Sequence, residues 1–205
     1  MTDKGIAKRS MNKTTEASYV GEVIESSTST FTAQARELNG APGFGDFVKT
    51  ETMPTSFGLV YDIRTQSADA NRKPTAYGMT EGELRREQPQ IFELLRTEFD
   101  VVIVGHGGDR GPLQILPSQP PGIHSFCHAC SQRDVKALSE NGDFVRMIIG
   151  ATQVPTDDLI IASVRNAWAV RAFDTAYLVT LGKELSRLIR DDYERLSSLI
   201  RRISQ

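Results

Sequence analysis

The chain has 205 residues, 39% of them hydrophobic and 24% charged, with a net charge of −2. A chain this long can bury a core without disulfides or metal, and its two cysteines form no disulfide framework. No apolar run approaches the ~20 residues of a membrane-spanning helix, and residues 1–18 carry no apolar signal core, so a cytoplasmic protein with no membrane association is expected.

The charge is unevenly spread. In residues 1–18, Lys4, Lys8, Arg9 and Lys13 outnumber Asp3 and Glu16, which reads as a disordered basic tail. The body from 19 to 173 is acidic, and an acidic body lacks the clustered Lys and Arg that direct nucleic-acid binding requires.

From Tyr19 the pattern becomes β-like. Tyr19–Glu25 and Phe31–Leu38 alternate apolar and polar residues, separated by the Ser26–Ser29 turn. Asn39-Gly40 and Pro42-Gly43 mark further turns, Phe47–Glu51 is a third strand, and Phe57–Ile63 a fourth. Short strands at this spacing predict an antiparallel barrel or sandwich. Residues 67–77 read as loop. Thr80 with Glu83 forms a capping box that opens a helix ending at Pro89, and a second helix is predicted over Gln90–Thr97. Phe99–Gly105 is a buried strand, with shorter strands near Leu113–Leu116 and Ile123–Ala129.

Beyond Ser131 the period lengthens to that of a helix. Short helices are predicted over Ser131–Ser139 and Asp143–Ile149, then a longer one capped by Thr156 with Asp157 and Asp158 in its first turn. A single last helix is predicted from Asp174 to Ile203, with Leu178, Leu181, Leu185, Leu188, Leu199 and Ile203 on one stripe. On its other side, Arg187 with Asp191 and Arg190 with Glu194 have ion-pair spacing. The fold class is therefore α+β: a β-barrel or sandwich from residue 19, then, past a seam near residues 117–131, an α-helical region over 131–205.

The densest chemical cluster is His124, Cys127, His128 and Cys130, the residue types that bind zinc. These four are the candidate metal ligands. One CxxC without a second pair of ligands falls short of a structural zinc motif, and on a strand Cys127 and Cys130 would face opposite sides. Inert thiols are the plainer reading, and no cofactor is expected. The Gly105–Gly111 loop lacks the Gly-Lys-Ser/Thr of a phosphate loop and has no G-x-S-x-G nucleophile to serve. It reads as a glycine-rich turn in which Arg110 is a candidate partner contact. Phe44, Phe47 and Tyr61 could stack bases, but only Lys49 and Arg64 lie nearby, and core roles are preferred. No complete catalytic motif is present.

Tyr19–Gln34, Phe44-Gly-Asp-Phe-Val-Lys-Thr50 and Phe57-Gly-Leu-Val-Tyr-Asp-Ile63 together resemble the HerA–ATP synthase (HAS) barrel, with the Gly45-Asp46 turn and Gly58 matching its pattern. Leu84–Phe99 resembles the stand-alone members that carry a helical tail and no ATPase domain. The resemblance implies a small antiparallel barrel of about six strands over 19–130, with a helical insertion near 80–97, that organises subunits or docks a partner. The expected function is a non-catalytic protein-interaction or assembly module, docking on an oligomeric ATPase, translocase or nuclease or on itself. Arg110, Leu185, Leu199 and Ile203 are the candidate partner-binding residues. The competing readings are a metal or thiol-redox protein using the His124–Cys130 cluster, and an accessory factor in DNA processing.

Overall fold

A computed structural model describes residues 19–69, 71–108 and 111–205; the expected basic tail and Arg110 lie outside them. The strands are β1 (Gly21–Ser26), β2 (Thr30–Ala35), β3 (Phe47–Thr50), β4 (Ser56–Ser67), β5 (Leu95–Gly108), β6 (Gly111–Leu113) and β7 (Phe126–Ala129). The helices are α1 (Glu81–Glu87), α2 (Gln90–Glu93), α3 (Gln132–Leu138), α4 (Asp143–Gly150), α5 (Thr156–Ala169), α6 (Thr175–Leu188) and α7 (Tyr193–Ile203).

Six strands close into an antiparallel barrel in the order β1-β7-β3-β4-β5-β2, with β2 returning to β1 and β6 appended to the end of β5. Alternation along each strand sends one set of side chains inward. Val23, Phe31, Ala33, Val48, Val60, Phe99, Val101, Ile103 and Cys127 fill the interior. The β4–β5 ribbon is the longest pairing, from Ser56 opposite His106 to Ser67 opposite Leu95, with two bulges that bend it around the barrel. Gly58 sits at one of them. A Cβ there would lie 2.3 Å from Val101 Cγ1, so only glycine lets the two strands approach so closely.

The ribbon runs past the barrel, and α1 and α2 sit at its far end. Thr80 caps α1 with the full capping box, Glu83 closing it reciprocally. Two expectations shift here. The fourth strand continues to Ser67, and the second helix stops at Glu93 because Leu95–Thr97 pair with Thr65–Ser67. For β-branched Thr97 the backbone ladder outweighs a further helical turn.

The helices do not stand apart from the barrel. Phe47, Phe57, Leu59, Val102 and Val104 point outward from β3, β4 and β5 into a second core with Leu138, Phe144, Val145, Ile148, Leu159, Ile160, Val164, Leu181 and Leu185. Phe47, one of the candidate base-stacking rings, is 4% exposed and packs against Phe144. The Gly45-Asp46 turn joins the two parts. Gly45 (φ +81°) lies flush against α5, and Asp46 Oδ1 accepts a hydrogen bond from Asn166 Nδ2 at 3.0 Å.

The predicted last helix is two helices. It breaks at Ile189, whose side chain turns into the core at 6% exposure. Asp192 starts α7 by accepting a hydrogen bond from Arg195 N. The ion pairs expected across that break do not form; Arg187 bonds Glu184 instead. Thr156 is the first residue of α5 rather than its cap, and its hydroxyl donates to Val154 O.

Candidate partner-binding wall of the barrel

The helical layer covers the outer side of β3, β4 and β5, which leaves the outer side of β1 and β7 uncovered. On β7, Cys127 points into the barrel while Phe126 and His128 point out, as strand alternation requires. Phe126 is 40% exposed. Its ring stacks on Tyr19 with centroids 4.5 Å apart, and the Arg36 guanidinium lies 4.8 Å from the Tyr19 ring centroid.

Acidic residues flank Phe126 on both neighbouring strands. Glu22 is its register partner on β1, and Glu51 N donates to Phe126 O on the β3 side. Each carboxylate meets a histidine. His124 Nδ1 lies 2.6 Å from Glu22 Oε1, and His128 Nε2 lies 2.6 Å from Glu51 Oε1, in ion-pair contact although not aligned as a hydrogen bond. Beside this patch Lys49, Glu51, Thr55, His128 and Ser131 line an open depression of about 730 Å³. Lys49 Nζ is held at 2.7 Å by Asp134 Oδ2, at the start of α3. Burial disfavours the charge on Asp134, but hydrogen bonds from Lys49 and Ser131 outweigh it and hold the carboxyl below its ordinary value of 3.8. An aromatic centre with an arginine, rimmed by paired charges, is chemistry suited to recognition.

A second polar group lies on the outer side of β2, β5 and β4. Arg64 donates to Asp100 at 2.5 Å and to Glu98 at 3.1 Å, Gln66 donates to Glu98, and Thr32 donates to Asp100. Arg96 completes the set, 2.7 Å from Glu98. Hydrogen bonding to Asp100 raises the Arg64 pKa above its usual value against the effect of burial. Glu98, 4% exposed, has its charge met entirely by these neighbours.

The four candidate metal ligands are dispersed. His124 is exposed on its left-handed turn (φ 68°), Cys127 is inside the barrel, His128 is on the outer wall, and Cys130 packs against the second core. Among the described residues no group of three or more His, Cys, Asp or Glu side chains could hold a metal ion. Burial pushes the Cys127 thiol up to about 12 and raises Cys130 as well. Three candidate partner contacts require correction. Leu185 (1% exposed), Leu199 (1%) and Ile203 (4%) are buried in the second core, because the break at Ile189 folds both halves of the apolar stripe onto this chain's own helices.

Tyr19, Arg36 and Phe126 were not singled out from the sequence. The alternation around Cys127 places Phe126 and His128 on one face, but nothing local in sequence brings Tyr19 against Phe126. No helix among the described residues is long and apolar enough to cross a membrane. No curated protein matches the chain. The family model of the HAS barrel domain matches residues 20–106, a span that holds β1 to β4 and most of β5. The chain thus carries a HAS barrel domain, closed by a strand from beyond the matched span.

Proposed function

We propose that this protein is a non-catalytic interaction or assembly module in the cytoplasm, working without a resident cofactor, whose barrel docks a protein partner through the β1–β7 wall. The observation that carries this reading is the wall itself: Phe126 stacked on Tyr19, exposed, on the side of the barrel that the helices leave uncovered. The HAS barrel is typically a protein-interaction or assembly domain in ATPases, which favours an oligomeric ATPase, translocase or nuclease as the partner.

Affinity capture with the full chain, compared with a Phe126→Glu variant of unchanged circular dichroism, tests this. The expected result is a defined ATPase or nuclease retained by the wild type and lost with the variant. Identical capture by both proteins would discard the wall as the docking surface. Failure to retain any such partner would discard the function.

A further inference from the structure

β4 runs from Ser56 to Ser67, and only its first part is paired on both sides. On the edge away from β5, β3 pairs with Phe57–Leu59, and the Gly45-Asp46 turn exchanges two hydrogen bonds with Val60. Past Val60 no strand or loop among the described residues bonds to that edge. From Asp62 to Ser67 the register against β5 is regular, and Ala68 N then donates to Leu94 O. Backbone groups alternate in direction along a strand, so Gln66, Arg64 and Asp62 also face β5. Thr65 and Ile63 face away from it, and their N–H and C=O groups have no partner among the described residues. Ser67 faces the same way but is buried, in a pocket that Arg72, Pro74 and Tyr77 also line.

A closed barrel has no bare strand edge, and this ribbon restores one. The usual guards are missing. No proline or lysine stands between Tyr61 and Ser67, and the Arg64 guanidinium is drawn back across the sheet onto Asp100 and Glu98. Ile63 is 40% exposed, and the Asp62 side chain is 57% exposed.

We propose that this edge takes up an extended segment of a partner protein by strand addition, a segment with lysine or arginine opposite Asp62 and aliphatic residues beside Ile63. The backbone selects the extended form, because N–H and C=O groups alternating along Ile63 and Thr65 are matched by another strand and by no helix. Charge selects the side chain. Asp62 meets only Arg64, at 3.7 Å, and that guanidinium is already held at 2.5 Å by Asp100. Burial, and then the charges of Asp100, Asp62 and Glu25, hold the neighbouring Tyr61 hydroxyl above its ordinary pKa against the effect of Arg64. The field at this edge is negative.

A second copy of β4, laid antiparallel about a two-fold axis, does not supply this match. Setting Ile63 on the second copy's Thr65 stacks Arg64 on the second copy's Arg64. Setting Ile63 on the second copy's Ser67 leaves Asp62 opposite an alanine. Setting Ile63 on the second copy's Ile63 brings Asp62 to an arginine, but the bulge beside Tyr61 breaks the alternation and leaves one bonded pair. The edge lies on the β4–β5 ribbon, apart from the β1–β7 wall, so either surface can fail its test without the other.

Amide exchange and peptide titration of the full chain, both read by NMR, test this. In the free chain the Ile63 and Thr65 amides should exchange at least about tenfold faster than those of Arg64 and Gln66. A capped heptapeptide alternating valine with lysine should slow Ile63 and Thr65 to the rate of their neighbours. The same peptide methylated at its valine nitrogens keeps its side chains and should bind about tenfold more weakly. Glutamate in place of lysine should weaken binding about tenfold at low salt and less at high salt. Asp62→Asn should bring that preference below about threefold. Ile63 and Thr65 amides as protected as Arg64 in the free chain would mean that the edge is already covered, by this chain or a second copy, and overturn the proposal. So would no binding of the lysine peptide, equal binding of the methylated one, or a charge preference indifferent to Asp62→Asn.

Discussion

Gly45 rests directly on Ala162: a Cβ added to the glycine would stand 2.4 Å from the alanine Cβ and 3.0 Å from Ser163 N. This contact sets how closely the barrel turn and α5 approach, and the Asp46–Asn166 hydrogen bond fixes their alignment. Two demands meet at one residue, a left-handed backbone and no side chain.

Gly45→Ala should therefore cost about 3 kcal/mol, from roughly 1–2 for the left-handed conformation and 1–3 for overpacking. In a chain of this size that lowers the melting temperature by about 6–12 °C. Asn166→Ala removes only the neighbouring hydrogen bond and should cost about 1 kcal/mol. Thermal melts of the two variants read the difference directly.

Arg64→Met should destabilise by about 2 kcal/mol, between the value for breaking an exposed pair and that for breaking a buried one. Glu98 and Asp100 would keep their burial and lose their main counter-charge. The double variant Arg64→Met with Glu98→Gln should recover part of that loss. Urea unfolding of the single and double variants measures it; equal stability of the two would show that Arg64 and Glu98 are not coupled.

Asp134 predicts an acid-sensitive contribution. Its folded pKa is depressed, so the stability it supplies is fully present above the unfolded value near 3.8 and is lost as pH falls through the lower folded value. Asp134→Asn should be less stable than wild type at neutral pH, and the gap should narrow as pH drops below 3.8. Denaturant midpoints measured across that range check the sign; a gap that widens on acidification contradicts it.

The two thiols should be inert in the native state. With Cys127 raised to about 12 and Cys130 raised as well, neither forms appreciable thiolate at pH 8. A thiol reagent should react slowly with the folded chain and rapidly with both cysteines in denaturant. Added zinc should leave the melting temperature unchanged, because the side chains that could bind it are dispersed over both sides of the barrel wall.

The strands were legible because alternation is a local property: Val23, Phe31, Val48 and Phe99 announce their inward faces within a few residues of sequence. The Thr80–Glu83 box was legible for the same reason. The break at Ile189 was not. Neither glycine nor proline marks it, and the apolar period runs through it, so the stripe from Leu178 to Ile203 read as one helix. The Asp191-Asp192 pair, with its capping chemistry, was the available signal. Leu185, Leu199 and Ile203 show the deeper limit, since a stripe reveals that something covers it but not whether the cover is the same molecule. The wall around Phe126 lay beyond local reading because Tyr19 stands more than a hundred positions before it in the chain.

The late arrival of β7 has a kinetic meaning. Gly21 pairs with Cys127 and Thr50 pairs with the same residue, so the barrel cannot shut until more than a hundred residues past its first strand have been made. A nascent chain that has emerged only through β5 holds a curved sheet with β1 and β3 as two bare edges, open to other strands. Cutting the gene to the family-matched span 20–106 should give that same species permanently, an aggregating fragment rather than a smaller barrel.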